Sequence, residues 1–362
     1  MQYFFCLIFW LFIIQKKLIK EGVLMDFPKI GPARFYQILQ QQKETQVLLA
    51  ALRLDVFSFL DRPVNVTVLS DLLHYDKTNL NYFLKALVSI GILQKQGELF
   101  SNTEEGKLYL SKNSELYLGE YFLFWDKKTS LNNLEELVVK GPQAAGNEVQ
   151  PHGFYDFHEL ARLTAVEIRT GRAQSFLQSA GKILQETSGE GLKLLDLGGG
   201  SGRMAIEFAK QYPLARAVIF EHPAVVDIPL SQIAAENLGT RVSVIAGDFT
   251  KDDIGAGYTI VVASGILDFA GNKLEDLIKR IHNACKVGAY LYLVSHEVSD
   301  DLTSPKEAVI GWLSSHLAGL DILMPKNRIK RALQNGGFQP LQQSEQAGVI
   351  ARLQGEWYKR IE

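Results

Sequence analysis

The stretch LKLLDLGGGSGRMAIEFAKQ, residues 192–211, decides how the chain folds. Its first six residues form an apolar run with the length of a buried strand, and a helical period follows the glycines. Glycines let the backbone turn sharply and approach a ligand with no Cβ in the way. The start of the helix adds free N–H groups and a partial positive charge. Alone, this pattern fits an NAD or FAD site, or a tight turn without a ligand.

The next two predicted strands end in side chains that suit a nucleoside. Glu221 follows the second strand, about 20 residues after Gly198, where a carboxylate can accept hydrogen bonds from both ribose hydroxyls. The third strand leads to Asp248, which can accept from an adenine amino group, and to Phe249, which can lie on the ring face. Either acid alone would also suit a solvated loop. Together with the glycines they indicate a nucleoside-containing ligand.

The rest of this half alternates short apolar runs with helical periods, which is typical of a parallel α/β sheet. The predicted parallel strands are 192–197, 215–220, 241–246, 258–263 and 289–295. After Gly337, residues 338–343 and 348–355 predict a closing antiparallel pair.

The first half of the chain predicts three helices and a two-stranded wing, the order of a winged helix. One helix is expected over 35–51 and a short one begins near Val68. Asp76 can cap the third, which Gly91 ends. Its apolar face consists of Leu80, Phe83, Leu84 and Leu87. The strands of the wing flank a turn at Gly97.

The charge of this module argues against DNA binding. Between Asp61 and Lys112 six acidic residues balance six basic ones, and the third helix carries only Lys77 and Lys85. A duplex binder needs several lysines and arginines on one face to displace counterions. The net charge of the whole chain is only −2. We therefore expect protein–protein packing here and no nucleic acid partner.

The order of these motifs resembles the S-adenosylmethionine site of class I methyltransferases. LDLGGGSG, FEHPAVV, AGDF and YTIVVAS follow one another along the chain. With the neutral winged helix in front, the chain is similar to the O-methyltransferase family that has an N-terminal dimerisation domain, which includes caffeate, hydroxyindole and carotenoid methyltransferases. The resemblance covers residues 35–355.

The resemblance implies an α/β fold, a Rossmann-like class I methyltransferase domain preceded by a mostly α winged-helix dimerisation domain. It also implies a homodimer whose N-terminal domains interlock and cap each other's active sites. The implied cofactor is S-adenosylmethionine, with the glycine loop at its methionine end, Glu221 at the ribose, and Asp248 and Phe249 at the adenine. The predicted cofactor-binding residues are Asp196, Gly198, Gly200, Glu221, Asp248, Phe249 and Ser264. No metal is expected.

The segment ASGILDF, residues 263–269, departs from the family pattern. It resembles the family's K-W-V-L-H-D-W, whose histidine removes a proton from the substrate hydroxyl. The base position is Leu267, which cannot accept a proton, and the position of the cofactor-holding lysine is Ala263. Of the two acids that would orient the histidine, one falls at Ser295 and the other, near Asn327 and Arg328, is also missing.

Three explanations of this departure stay open. The favoured hypothesis is direct SN2 transfer driven by alignment, because near-attack geometry alone lowers a barrier substantially. Alternatively another group is the base, with Asp268, His296, His158 and His152 as candidates that also suit ordinary loop, strand-end or surface roles. In the third, the fold binds the cofactor but catalyses another reaction, such as decarboxylation or hydroxylation, or acts as a regulator or scaffold.

The methyl acceptor is expected between this site and the helical segment in front of it. Aromatic residues there suit a flat, apolar, small molecule that is methylated on oxygen, nitrogen or carbon. The predicted substrate-binding residues are Phe124, Trp125, Phe154, Phe157 and Trp312, with Tyr121, Phe122 and Tyr155 as further wall candidates.

Four segments are predicted: an apolar leader (1–24), the winged-helix domain (25–115), a helical connector and substrate cap (116–185) and the methyltransferase domain (186–362). The run YFFCLIFWLFII, residues 3–14, is shorter than the about 20 residues that span a bilayer, and it lacks the features of a signal peptide. A membrane-surface anchor, a docking helix and an upstream extension before a start at Met25 all stay open.

Cys6 and Cys285 are far apart, so we expect a reducing, cytoplasmic setting without disulfides.

Overall fold

The computed structural model describes residues 13–17, 30–142, 156–184, 189–320, 324–341 and 355–361. Residues 1–50 and residues 51–362 form two compact units. Residues 13–17 of the first unit are helical. Helix α1 (Ala33–Arg53) begins in the first unit and ends three residues into the second. Most of the apolar run 3–14 lies outside the described residues. In the described part of the chain, no helix combines the length and the apolar character needed to cross a membrane.

The wing and its helices fold as predicted, with one addition. Helix α2 (Val66–Leu73) is capped by Asn65, and α3 (Lys77–Ser89) by Asp76, whose carboxylate accepts from the Asn79 N–H at 2.8 Å. Leu80, Leu84 and Leu87 are buried, while Phe83 is half-buried. Strands β1 (Val64–Asn65), β2 (Leu93–Gln96) and β3 (Leu99–Asn102) form an antiparallel sheet in the order β1-β3-β2. The unpredicted β1 has only two residues, too few for a recognisable pattern.

A helical connector follows the wing. Helix α4 (Glu104–Tyr109) lies directly after the wing, and the connector itself consists of α5 (Gly119–Lys128), α6 (Leu134–Lys140), α7 (Phe157–Glu167) and α8 (Ala173–Leu184). A single π-helical turn, Ile168–Arg172, joins α7 to α8, and within it Gly171 has φ 155° and ψ −38°. Such turns inside α-helices are often found at functional sites.

The second half of the chain contains a seven-stranded sheet in the order β6-β5-β4-β7-β8-β10-β9. The strands are β4 (Lys193–Leu197), β5 (Arg216–Glu221), β6 (Val242–Ala246), β7 (Tyr258–Ser264), β8 (Cys285–Val294), β9 (Phe338–Pro340) and β10 (Glu356–Arg360). Strands β4 to β8 are parallel, and β10 runs antiparallel to both β8 and β9. Because β4 lies between β5 and β7, the strand order reverses there, which opens a crevice at the carboxyl ends of β4 and β7.

One strand boundary differs from the prediction. The first closing strand is β9, but the predicted 348–355 lies outside the described residues except for Gly355, and the strand that pairs is β10. Trp357 and Tyr358 on β10 are 1% exposed, and they alternate between the two faces of the sheet. A lone strand with two bulky buried residues among charged ones gives a weak apolar signal in sequence.

Helices cover both faces of this sheet. They are α9 (Arg203–Gln211), α10 (Asp227–Ala235), α11 (Leu274–Ala284), α12 (Lys306–Gly311), α13 (Leu313–Leu317) and α14 (Lys326–Asn335). Along β4, Leu195 and Leu197 point into the core on the α11 side, and Leu194 into the core on the α9 side. This alternation is why the parallel strands are apolar throughout.

Candidate functional site

The glycine loop lies between β4 and α9, at the crevice. Gly198 has φ 63°, Gly200 φ 55° and Gly202 φ 73°, all in the left-handed region. A Cβ added to Gly198 would lie 2.6 Å from Cδ1 of Ile266, which follows β7. The loop therefore depends on glycine to bring its backbone against the neighbouring strand end.

Glu221 ends β5 beside this loop, and backbone groups fix its carboxylate. Oε2 accepts from the Gly200 N–H at 2.7 Å, and Oε1 from the His222 N–H at 2.6 Å. Burial raises the pKa of Glu221, and the two backbone hydrogen bonds oppose that rise. Each oxygen retains a lone pair, so the carboxylate can still accept from the two hydroxyls of a ribose.

Asp196 lies underneath the loop. It is 1% exposed, and its Oδ2 accepts from the Ala205 N–H in the first turn of α9 at 3.2 Å. The pKa of this carboxyl is raised to about 7, mainly by burial and also by Glu221, while the Ala205 hydrogen bond and Arg172 act in the opposite direction. The side chain thus fastens α9 to β4, and its predicted cofactor contact stays a prediction.

The predicted Asp-Phe pair lies at the same edge of the sheet. Oδ1 of Asp248 accepts from Thr250, from the backbone N–H at 2.8 Å and from the hydroxyl at 2.7 Å. Burial would raise the pKa of Asp248, but the Thr250 hydrogen bonds and Lys251 hold it below its ordinary value. Phe249 is half-buried, and its carbonyl accepts from Arg280. Oδ2 of Asp248 lies 3.5 Å from Nζ of the exposed Lys251, and the Phe249 ring lies beside it after the end of β6.

These groups fit S-adenosylmethionine. At Gly200 the nearest atom to an added Cβ is Cβ of Ala161 at 3.8 Å, so there is room beside the loop backbone, and the carboxylate of Glu221 is fixed in place with accepting capacity left. Helix α9 begins at Arg203, directly after the loop, and directs its first N–H groups towards the same crevice.

The residues that follow β7 do not place a base at position 267. Leu267 is 0% exposed and belongs to the core under the strand ends, and Ala263 is likewise 0% exposed. The side chain that packs against the glycine loop from this segment is Ile266. Ser264 is half-buried at the end of the strand.

Next to Leu267, Asp268 pairs with His296, which follows β8. Oδ1 of the fully buried Asp268 lies 3.1 Å from Nδ1 of His296, at ion-pair distance but off the line of a hydrogen bond, and accepts from the His296 backbone N–H at 3.2 Å. The His296 side chain is 14% exposed. Among the described residues, Oδ2 of Asp268 has no hydrogen-bond partner. Two of the predicted candidate bases therefore form one unit.

Aromatic rings continue from this pair into the helical connector. The Trp312 ring centroid is 5.2 Å from His296, 5.9 Å from Phe269 and 5.7 Å from Trp125. Further contacts join Trp125 to Phe124 and Tyr121, and Tyr121 to Phe122. Three predicted substrate-binding residues, Phe124, Trp125 and Trp312, thus belong to one cluster beside the β7 and β8 ends.

The remaining candidates are placed differently. Phe157, the first residue of α7, is 41% exposed. His158 is exposed as well, and its Nε2 lies 2.8 Å from Oδ2 of Asp227 on α10, a hydrogen bond that raises the pKa of the imidazole. Phe154, Tyr155 and His152 lie outside the described residues.

Arg172 is a further site residue that sequence reasoning missed. On the π-helical turn, its guanidinium forms an ion pair with Glu167 and donates from Nη1 to the Ser264 hydroxyl at 3.4 Å. Both charged side chains are largely buried, 17% and 13% exposed. Burial would lower the pKa of Arg172, but the Glu167 carboxylate raises it. An arginine in a helical segment normally faces solvent. In the sequence, only the acidic residue five positions earlier, Glu167, could have indicated that Arg172 forms a buried ion pair.

Comparison with known proteins agrees with this geometry. Residues 36–112 match the model of the O-methyltransferase dimerisation domain, and residues 148–318 match that of the O-methyltransferase domain. The N,N-dimethyltransferase OxyT of Streptomyces rimosus is 25% identical over 332 residues, which cover 89% of this chain and 93% of that protein.

Two human proteins are also similar. A probable bifunctional dTTP/UTP pyrophosphatase/methyltransferase protein is 22% identical over 301 residues, covering 77% of this chain and 46% of that protein, so this chain spans about half its length. The crystal structure of human N-acetylserotonin methyltransferase in complex with S-adenosylmethionine superposes with a TM-score of 0.70 at 20% identity. It covers 93% of this chain and 100% of that one.

The fold, the glycine loop with its neighbouring acids and both domain matches lead to one conclusion. The chain belongs to the family of S-adenosylmethionine-dependent O-methyltransferases that carry an N-terminal dimerisation domain.

Proposed function

We propose that this enzyme transfers a methyl group from S-adenosylmethionine to a hydroxyl group of a small aromatic molecule. The observation that carries the proposal is a juxtaposition. The glycine loop and Glu221 lie at the ends of β4 and β5, and the cluster around Trp312 lies at the ends of β7 and β8. Because β4 and β7 are adjacent strands, a cofactor on one side faces an aromatic acceptor on the other.

The cofactor half of the site is built largely by backbone groups. Bound S-adenosylmethionine supplies a methyl carbon made electrophilic by the positive sulfonium. Glu221 accepts from the ribose hydroxyls, Oδ2 of Asp248 accepts from the adenine amino group, and Phe249 packs on its ring. Gly198 and Gly200 admit the methionine portion close to the loop. The position of each residue at the carboxyl edge of the sheet supports its proposed role.

The acceptor half is built by rings. Trp125 and Trp312 meet at 82°, and Phe269 and His296 meet Trp312 edge-on at 75° and 87°. A cluster of aromatic rings at this place suits the binding of a flat aromatic acceptor. The relative TcmO of Streptomyces glaucescens is named as an 8-O-methyl transferase and OxyT as an N,N-dimethyltransferase, so the names of the relatives include both oxygen and nitrogen acceptors.

The general base that we propose is His296, with Asp268 orienting it. The closeness of the Asp268 carboxylate to Nδ1 favours the tautomer that carries its proton on Nδ1 and leaves Nε2 able to accept one. Nε2 would accept the proton of the acceptor hydroxyl, and S-adenosylmethionine held by the glycine loop, Glu221 and Asp248 would supply the methyl group that replaces this proton. Asp268 then stabilises the imidazolium, which returns its proton to water. His158 is exposed and bound to Asp227, so it offers a weaker case.

We also propose that the functional form is a homodimer through the N-terminal domain. The match to a dimerisation domain over 36–112 supports this. On α1, Phe35 and Tyr36 are 68% exposed, and Ile38 and Leu39 are more than half exposed. Four exposed apolar side chains along one helix are typical of a surface that a second protein covers.

The experiment that tests the proposal has two stages. Isothermal titration should show one S-adenosylhomocysteine bound per chain, and transfer of a labelled methyl group should be found with N-acetylserotonin or another phenol in a panel. No binding would remove the proposal. Binding without transfer to any hydroxyl, amine or carbon acceptor would instead favour the third explanation, a protein that binds the cofactor for another purpose.

A further inference from the structure

We infer that Arg172 binds the α-carboxylate of the cofactor's methionine portion, replacing the cation that family resemblance places at position 263. The inference rests on the proposed function, since it concerns the same cofactor. It adds a recognition site for the amino-acid end, to which neither Glu221 nor Asp248 contributes.

The position of the guanidinium is the first argument. Nη1 of Arg172 reaches the hydroxyl of Ser264, the last residue of β7, at 3.4 Å. Ser264 ends β7, and β7 is the hydrogen-bonded neighbour of β4, so the guanidinium lies at the edge of the sheet where the crevice opens.

The second argument is that the contacts of Arg172 leave hydrogen-bonding capacity unused. A guanidinium has five N–H donors, and one is used on Glu167 and one, at long range, on Ser264. No Arg172 nitrogen is among the fully buried atoms without a partner in the described residues, so its remaining donors are accessible to a ligand. A planar carboxylate that accepts two parallel N–H groups would satisfy the remainder.

The third argument is the backbone that presents Arg172. The π-helical turn 168–172 adds a residue to the helical repeat, and Gly171 takes φ 155°, which directs Arg172 inward. Earlier on the same helical segment, Ala161 on α7 lies 3.8 Å from the position of a Cβ on Gly200. The segment that carries Arg172 thus covers the glycine loop, and its buried guanidinium faces the same crevice.

The chemistry of the cofactor identifies the occupant. The α-carboxylate is its only anionic group, at the end opposite the adenosine. Ala263 is 0% exposed and has no polar side chain, so position 263 cannot supply a counter-charge. Glu167 holds the guanidinium in place.

The affinities for two ligands distinguish the contribution of this contact from that of the rest of the site. S-adenosylhomocysteine carries the carboxylate, and 5′-methylthioadenosine has the same adenosine and thioether without the amino-acid group. By calorimetry, Arg172→Lys should weaken S-adenosylhomocysteine binding about tenfold while leaving the affinity for 5′-methylthioadenosine within twofold, because lysine keeps the charge but loses the paired geometry.

A second variant guards against loss of the fold. Arg172→Gln alone leaves Glu167 buried and unpaired, so the pair is removed together in Glu167→Gln/Arg172→Gln, for which we expect a thirty- to hundredfold loss with S-adenosylhomocysteine only. Arg169→Gln is the matched control, three residues earlier on the same turn, where Arg169 pairs at 3.7 Å with the exposed Glu115. It should change neither affinity.

The outcomes are distinct. Equal losses with both ligands, or no loss with either, would overturn the role of Arg172. Equal affinity of the wild-type protein for the two ligands would overturn it as well, because the carboxylate then contributes nothing to binding. If the wild-type protein binds neither ligand, the proposed function fails, and the inference fails with it.

Discussion

The two edges of the crevice are built in different ways. At the β4–β5 edge the decisive groups are backbone N–H groups and one carboxylate, and they come from two short stretches, 198–202 and 221–222. At the β7–β8 edge they are side chains from four separate elements, represented by Asp268, His296, Trp312 and Trp125. The first edge is local in sequence, and the second exists only after the chain has folded.

This difference separates what binds the common cofactor from what selects the acceptor. A backbone cradle tolerates substitution around it as long as its glycines and carboxylate remain. A cluster of side chains changes with every member, which suits an acceptor that differs between relatives. Substitutions at the two edges should therefore change different properties, cofactor affinity at the first and turnover at the second.

The largest effect is expected at the cofactor edge. Glu221→Ala removes the carboxylate that is fixed by Gly200 and His222, and should weaken S-adenosylhomocysteine binding by about 100-fold or more in calorimetry, because charged hydrogen bonds contribute about 1.5–3 kcal/mol each. Glu275→Ala, an exposed position on α11, is the control. An affinity within threefold of wild type would show that Glu221 is not the ribose ligand.

At the acceptor edge, His296→Gln should lower kcat about 100-fold with a phenolic acceptor, since a general base contributes about 10²–10⁴. The affinity for S-adenosylhomocysteine should stay within twofold, because His296 lies at the other edge. His158→Gln, on a surface ion pair, serves as control. If both variants keep full turnover, alignment alone drives the transfer. A loss in His158→Gln only would move the base to α7.

The next prediction concerns the pH dependence of stability. Because burial raises the folded-state pKa of Asp196 from 3.8 to about 7, the folded chain holds this proton and the unfolded chain releases it between these pH values. The unfolded state then binds fewer protons, so the free energy of unfolding falls as pH rises from about 4 to about 7. Asp196→Asn should remove this fall, a difference of the order of 2–4 kcal/mol between pH 5 and pH 8.

Urea denaturation at the two pH values measures this difference. The exposed Asp276→Asn on α11 should keep the wild-type dependence. Parallel curves for wild type and Asp196→Asn would mean that the buried carboxyl is ionised at all these pH values.

The smallest expected effect is a difference in unfolding free energy between alanine substitutions of two glycines, one from each edge. Gly198 and Gly265 both have positive φ, 63° and 70°, but only at Gly198 would a Cβ meet another atom, whereas nothing lies within 4 Å at Gly265. Both alanine variants should lose about 1–2 kcal/mol of unfolding free energy to the left-handed backbone. Gly198→Ala should lose about 1 kcal/mol more, because Ile266 must move. Thermal unfolding gives both values, and equal losses would contradict the close approach of Ile266 to the loop.

The difference between the two edges also explains which parts of the site could be predicted from the sequence. The strand, the glycine loop and the helix could be predicted at 192–211 because the apolar run, the glycines and the helical spacing of apolar residues all lie within this one stretch. Glu221 was predictable because parallel strands end at one edge. The pairing of Asp268 with His296 was not, since it joins residues after two different strands. Arg172 was not either, because a π-helical turn directs it inward and no helical period shows that.

Strand β10 has a consequence for how the protein is made. Trp357 lies 5.8 Å from Phe176 and 4.9 Å from Tyr292 between ring centroids, so residues near 357 close a core that began near 176. A nascent chain that has emerged only as far as β8 exposes the edge of that strand and lacks the Trp357 ring that covers Phe176 and Tyr292. The sheet thus completes late in synthesis, and a chaperone that shields β8 until β10 arrives would protect the nascent chain from aggregation.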